Sequence, residues 1–211
     1  MLPVEIEPLD TTGVPDTDRG PVMQTWSGHP FYLLDPHPED VRLIDIAEGL
    51  AKINRFTGAT REPYSVGQHS TLVSRLVRPE LALAGLLHDA GETYTNDDSR
   101  PKKMALERLA PGILRRLNEP IDRAIWQKFG LDPAFMAAHH DEIKQADNEA
   151  FVLEHQAFMS KPIGFDLGDL PPAPSGFAIR PMHWETARDL FIRRYGEIVF
   201  GGHIEIRAVK P

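Results

Sequence analysis

The 211-residue chain carries 23 Lys and Arg against 31 Asp and Glu. That acidic balance argues against a surface built to coat nucleic acid, which neutralises phosphates with an excess of basic side chains. Cysteine is absent, so disulfides, thiolate metal sites and thiol nucleophiles are excluded, and any metal must be held by His, carboxylate or water. The length suits one domain, no stretch approaches the roughly 20 apolar residues of a membrane span, and MLPVEIEPLD lacks the basic and apolar parts of a signal peptide. A cytoplasmic protein with neither a membrane nor a nucleic-acid polymer as partner is the expectation.

Residues 1–38, rich in Pro, Gly, Asp and Thr, read as an irregular or short-stranded arm whose Trp26, Phe31 and Tyr32 dock on the body. From Pro38, PEDVRLIDIAEGLAKINRF spaces Val41, Ile44, Ala47 or Glu48, Leu50 and Ala51 at close to the helical period, with acids in the first turn, and predicts a helix. TGATREPY is a loop by its Gly, Thr and Pro content. Ser65 then suits the N-cap of VGQHSTLVSRLV, in which Val66, His69, Val73, Leu76 and Val77 share one face. Pro79 opens ELALAGLLHDAGETY, which predicts one helix, apolar on most sides and therefore central. Two further helices follow, in PKKMALERLA and GILRRLNEPIDRAIWQKFG, and then a long one from about Pro133 to Met159. Residues 161–180 form a Pro/Gly loop. MHWETARDLFIRRYGEIVF is amphipathic through Trp184, Ala187, Leu190 or Phe191, Tyr195 and Ile198, and the tail GHIEIRAV suits a short strand. The sum is six or seven helices in a single all-α bundle: an arm over 1–38, a core over about 39–160 and a C-terminal helix over 181–200.

Four residues with the chemistry of metal ligands come from three of these helices: His69, the neighbours His88 and Asp89, and Asp147. Taken singly, a His on an apolar face is most often a core residue and an Asp near a helix end a cap. The His-Asp pair is different because it follows LALAGLL directly, and a carboxylate buried without a cation or hydrogen bonds costs several kcal/mol. Glu92, three residues after Asp89 and four after His88, lies about one turn along the same face. It suits the role of orienting or deprotonating a water. Asp97, just past the turn, is a second carboxylate that suits a general acid or a ribose partner.

The basic candidates leave alternatives open. Arg55 is either a bidentate anion clamp at the mouth of a pocket or a solvated helix-end residue. Lys102 and Lys103 start a predicted helix, where the dipole disfavours cations, so they either meet an anion or form a surface pair with Glu107. Phe56 either stacks on a base or joins the core. His140 shares a face with Asp147 but lies about 10 Å along the helix, too far to share an ion. His139 and His140 could serve a dinuclear variant, yet a mononuclear site is favoured. His29, His37, His155, His183 and His203 show no partner spacing and are read as ordinary.

INRF, SVGQHS, HDAGE, Asp97, PKK and KQAD, in that order, resemble the H...HD...D signature of the HD-domain metal-dependent phosphohydrolases, and in detail the YfbR-like 5'-deoxynucleotidases. The match runs from about Arg55 to Asp147. The resemblance implies an all-helical HD fold in which His69, His88, Asp89 and Asp147 hold one divalent ion (Mn, Co, Mg, Ni, Zn or Fe). It also implies that Arg55 and Phe56 face a small nucleotide substrate and that Glu92 and Asp97 act in catalysis. Three departures stand out: Gln68 replaces the Glu more usual before the first His, DSRPKK replaces a Leu-Pro type run, and the arm has no counterpart. The expected activity is hydrolysis of a phosphate ester of a small nucleotide, most simply a 5'-(deoxy)nucleoside monophosphate. The alternatives are a nucleoside triphosphate or cyclic phosphodiester hydrolase, a nucleotide-binding regulatory module and, remotely, a di-iron oxygenase. A homodimer is expected from the likeness and from the aromatic-rich arm.

Overall fold

Gly20 and Gly28, both at positive φ, supply the reversals that turn the arm into an antiparallel meander of β1 (Asp16–Thr17), β2 (Gly20–Gln24) and β3 (Pro30–Tyr32). This comes from a computed structural model, which describes residues 12–160 and 170–201. The expectation for the arm holds at Phe31, which is fully buried and stacked on Tyr94. It fails at Trp26, which is 45% exposed, with the Lys52 ammonium near its ring. The tail GHIEIRAV and part of the Pro/Gly loop lie outside the described residues.

The rest is predominantly helical: α1 (Leu43–Lys52), α2 (Val66–Leu76), α3 (Ala82–Leu87), α4 (Glu92–Thr95), α5 (Arg100–Leu109), α6 (Ile113–Lys128), α7 (Pro133–Ala138), α8 (His140–Phe158) and α9 (Trp184–Phe200). The helix expected from Pro38 begins later. A 3-10 turn over Pro38–Asp40 gives way to extended backbone at Val41 and Arg42, and Asp40 is held there by His37 N and the Arg19 guanidinium. The buried apolar face of α1 is therefore Ile46, Ala47, Leu50 and Ala51, without Ile44.

Ser65 caps α2 as its chemistry suggests, accepting from Gln68 N while the Gln68 side chain answers Ser65 N. Every residue from Val66 to Ser74 is buried, so α2 is the central element, packed on α1, α3, α8 and α9. The single central helix expected after Pro79 is not formed. A 3-10 turn over Pro79–Leu81 leads into the short α3, and from Leu87 to Tyr94 the backbone bonds run from residue i to i+3. One cause is local: His88 Nδ1 bonds the carbonyl of Gly85 at 2.8 Å, an acceptor the next helical turn would use. Glycines allow close packing on either side of the break. A Cβ on Gly85 would meet the α2 backbone at Ser74, and one on Gly91 would come within 2.8 Å of Asp122 Oδ1.

The long helix expected over 133–159 is two, because His139 leaves helical geometry between α7 and α8. On α9, Ala187 and Phe191 are fully buried, with Tyr195 and Ile198 packed beside them, close to the predicted face. One core groups Phe31, Ile46, Leu50, Leu86, Ile121 and Phe191, and a second groups Leu72, Val73, Leu81, Met136, Ile143 and Ala150. Residues of α2 enter both, through Val66 in the first and Leu72 and Val73 in the second.

Candidate metal centre

His69 projects from the middle of α2 and is completely buried. Its Nε2 lies 3.3 Å from His88 Nε2, 3.4 Å from Asp89 Oδ2 and 3.2 Å from Asp147 Oδ1. Asp89 Oδ2 is also 3.1 Å from His88 Nε2. The i to i+3 bonding after α3 lets adjacent residues His88 and Asp89 reach the same point, and α8 brings Asp147 to it. His69, His88 and Asp147 offer ligand atoms within 4.8 Å of one another, a group that could hold a metal ion.

The outer nitrogens of both imidazoles are already committed. A carbonyl can only accept, so His88 Nδ1 donates to Gly85 O. His69 Nδ1 donates to Glu154 Oε1 at 2.7 Å, on a carboxylate that His69 and Arg55 hold in its charged form against the cost of burial. Both Nε2 atoms therefore face the cluster, the arrangement in which a neutral imidazole presents its lone pair to a metal. Burial and Arg55 disfavour protonation of the His69 imidazole, but Glu154, Asp147 and Asp89 outweigh them and raise it well above its ordinary value. The histidines in turn draw Asp89 and Asp147 well below the usual carboxylate range, against the opposing cost of burial. The donor set thus fits a divalent ion: two oriented imidazoles and two carboxylates held in their charged form.

The cluster opens on a cleft of about 700 Å³. Near the cluster its walls carry Arg55, Glu92, Asp97 and Lys103, and further out Phe56, Phe151 and His155. Glu92 is nearly buried, its Oε2 has no hydrogen bond among the described residues, and burial together with Asp89 and Asp97 pushes it up to about 9. Lys103 Nζ stands 3.9 Å from Glu92 Oε1. Burial, with Asp89, also raises Asp97.

Two basic candidates stand differently from expectation. Arg55 is 8% exposed rather than at an open pocket mouth, because its Nη2 and Nε bond Glu154 Oε2 at 3.1 and 3.3 Å; Nη1 remains, 3.8 Å from Asp89 Oδ2. Lys102 pairs with Asp98 rather than with Glu107, whose carboxylate accepts from Gly112 N, and it is not among the cleft residues. Phe56 does line the cleft, 5.4 Å from Phe151 between ring centres. It and Thr57 both adopt φ of 55°, an uncommon conformation for residues other than Gly. His139 and His140 are occupied elsewhere, by Arg78 and by Asp141.

Phe151 and three further residues of the site escape the sequence reading. Glu154 follows Asp147 by seven residues, two turns along α8, a spacing that the helical period alone could have flagged. His155, read as ordinary, lines the cleft. Asp122 on α6, pushed up to about 7 by burial and Asp89, sits behind Gly91 and follows no recognisable motif.

Fold and cluster together describe a mostly helical protein with a candidate divalent-metal centre at the inner end of a cleft. The chain belongs to the family of the uncharacterized protein YfdR of Escherichia coli K12, to which it is 33% identical over 182 residues, covering 83% of this chain and 94% of that one. An uncharacterized protein of Rhodobacter capsulatus is 36% identical over 137 residues, 61% of this chain and 68% of its own. No protein-family model matches the chain.

Proposed function

We propose that this chain is an HD-type, metal-dependent phosphohydrolase that cleaves the phosphate ester of a small nucleotide, most simply a 5'-(deoxy)nucleoside monophosphate. The observation that carries the reading is the approach of His88 Nε2, Asp89 Oδ2 and Asp147 Oδ1 to within 3.4 Å of His69 Nε2, with Glu92 and Asp97 close by on the cleft wall. His69, His88, Asp89 and Asp147 would hold the ion. A divalent ion so held acidifies water and offsets the charge that develops on phosphoryl oxygens.

The protein's own groups supply the rest. Glu92, close to the cluster, can orient a water and hold or pass a proton, and Asp97 is the second carboxyl able to give a proton to the departing oxygen. Lys103 and Arg55 line the cleft, Arg55 with Nη1 beside Asp89, and would be the cations available to a bound phosphate. Phe56 and Phe151 offer apolar faces that suit a base or sugar. Charge supports one phosphate over three. Of the four cations lining the cleft, Arg55 is committed to Glu154 and Lys144 to Asp147, which leaves Arg100 and Lys103 in a space also lined by Asp89, Asp97, Asp98 and Asp147.

The test is a hydrolysis screen of nucleoside mono-, di- and triphosphates, each with manganese, cobalt, magnesium or zinc, scoring orthophosphate and pyrophosphate separately. Orthophosphate from monophosphates is expected. Release of pyrophosphate from triphosphates alone would move the activity to the triphosphohydrolase alternative, and no turnover with any metal would defeat the reading.

A further inference from the structure

Glu154 has no part in the proposed chemistry, yet it is a completely buried charge at the back of the site. Such a carboxylate is tolerated when both of its oxygens are engaged by donors. Here the two oxygens are divided between two functional residues. Oε1 takes the Nδ1 proton of His69 at 2.7 Å, and Oε2 takes Nη2 and Nε of Arg55 at 3.1 and 3.3 Å. The first bond fixes the His69 tautomer, so that Nε2 is turned to the cluster. The second fixes the guanidinium, so that Nη1 is left on the side of Asp89 and the cleft. Asp147 and Glu154 share one face of α8, so a single helix carries both a cluster carboxylate and the group that orients its partners.

We infer that Glu154 is a positioning residue that ties the metal centre to the anion-facing arginine, setting ion affinity through His69 and substrate affinity through Arg55. The inference rests on the proposed reading of the cluster as a metal centre. It requires a carboxylate in particular, because both partners are donors. A glutamine at this position accepts from one of them and turns its own N–H groups toward the other.

The experiment compares the parent with Glu154→Gln and Glu154→Asp by manganese titration against a competing chelator, with circular dichroism as the check on folding. Losing an outer partner of a ligating histidine typically costs about 10- to 100-fold in metal affinity. Glu154→Gln should show such a loss together with a raised KM, and Glu154→Asp, which keeps the charge, should recover much of both. A folded Glu154→Gln with the parent's manganese affinity and KM would overturn the inference while leaving the metal reading intact. Should Glu154→Gln not fold, nitrogen-15 histidine spectra of the zinc-loaded parent decide instead. A His69 ring protonated at Nδ1 is the expected result, and one unprotonated there overturns the inference. A parent that binds no manganese overturns the metal reading itself.

Discussion

Helices α2 and α5 both border the site and are almost equally long, at 11 and 10 residues, yet they are built in opposite ways. On α2 the run from Val66 to Ser74 is buried, and His69 emerges from the middle of it. On α5 no residue is buried by the described parts of the chain, and Met104 and Leu109, the latter 82% exposed, face outward. The cluster is thus held by a packed frame, with each imidazole pinned through its outer nitrogen. The wall over 97–103 depends on exposed polar contacts instead: Lys102 with Asp98, Arg100 with Asn148, and Lys103 near Glu92. The frame of the candidate metal centre is preorganised, and the cleft wall beside it is lightly anchored.

The largest effect that could break this comparison is expected at the packed end. His88→Ala or Asp89→Ala should remove bound metal and hydrolysis together, by elemental analysis and phosphate release. Full metal content in both variants would dissolve the cluster assignment.

Glu92→Gln should keep the metal and lower turnover by about 10² to 10⁴, the usual size of a lost general acid or base. It also carries a pH signature in the metal-free protein. Burial favours the neutral carboxyl, so between the ordinary Glu value of 4.5 and about 9 the folded chain holds a proton that the unfolded chain has released. Stability contributed by this group therefore falls as pH rises through that window. Glu92→Gln should raise the melting temperature more at pH 8 than at pH 5, at about 2–4 °C per kcal/mol for a chain of this size. Equal shifts at the two pH values would contradict the buried, protonated Glu92.

Metal binding should respond to pH in the opposite direction. An ion must displace the proton held by His69, so manganese affinity should rise by up to about tenfold per pH unit over the neutral range. A pH-independent affinity would mean that His69 carries no proton in the metal-free state. Arg55→Lys should reduce kcat/KM by about tenfold, because an ammonium cannot replace the fork held by Glu154. The variant should also lose about 1–3 kcal/mol of stability, by leaving Glu154 incompletely bonded. Denaturant titration and steady-state kinetics read the two losses separately. The smallest effect belongs to α5: Leu109→Ala should change stability by less than about 0.5 kcal/mol, and a larger loss would show that α5 is packed after all.

His88 and Asp89 were legible because a His-Asp pair directly after LALAGLL is hard to bury without partners, His69 because it sits on an apolar helical face, and Asp147 only through the likeness of KQAD to the HD-type signature. Ser65 was legible through its capping chemistry, and the inner face of α9 through its period. The break at His88–Gly91 was not, since helix-compatible residues lead straight up to it and the side chain that folds back on Gly85 O leaves no signature in the sequence. Nor was the fate of Arg55. Its partner Glu154 is 99 residues away, and only the packing of α8 brings the two together. Trp26 was misassigned because aromatic content alone does not say which ring meets the core, and in the arm it is Phe31 that does.

His69, His88, Asp89 and Asp147 are proposed to form one divalent-metal site. Calorimetric titration of manganese into the metal-free chain tests it most directly, beside His88→Ala and Met104→Ala. One ion per chain is expected in the parent and in Met104→Ala, and no binding in His88→Ala. A parent titration without heat or saturation, or a His88→Ala titration matching the parent, would contradict it.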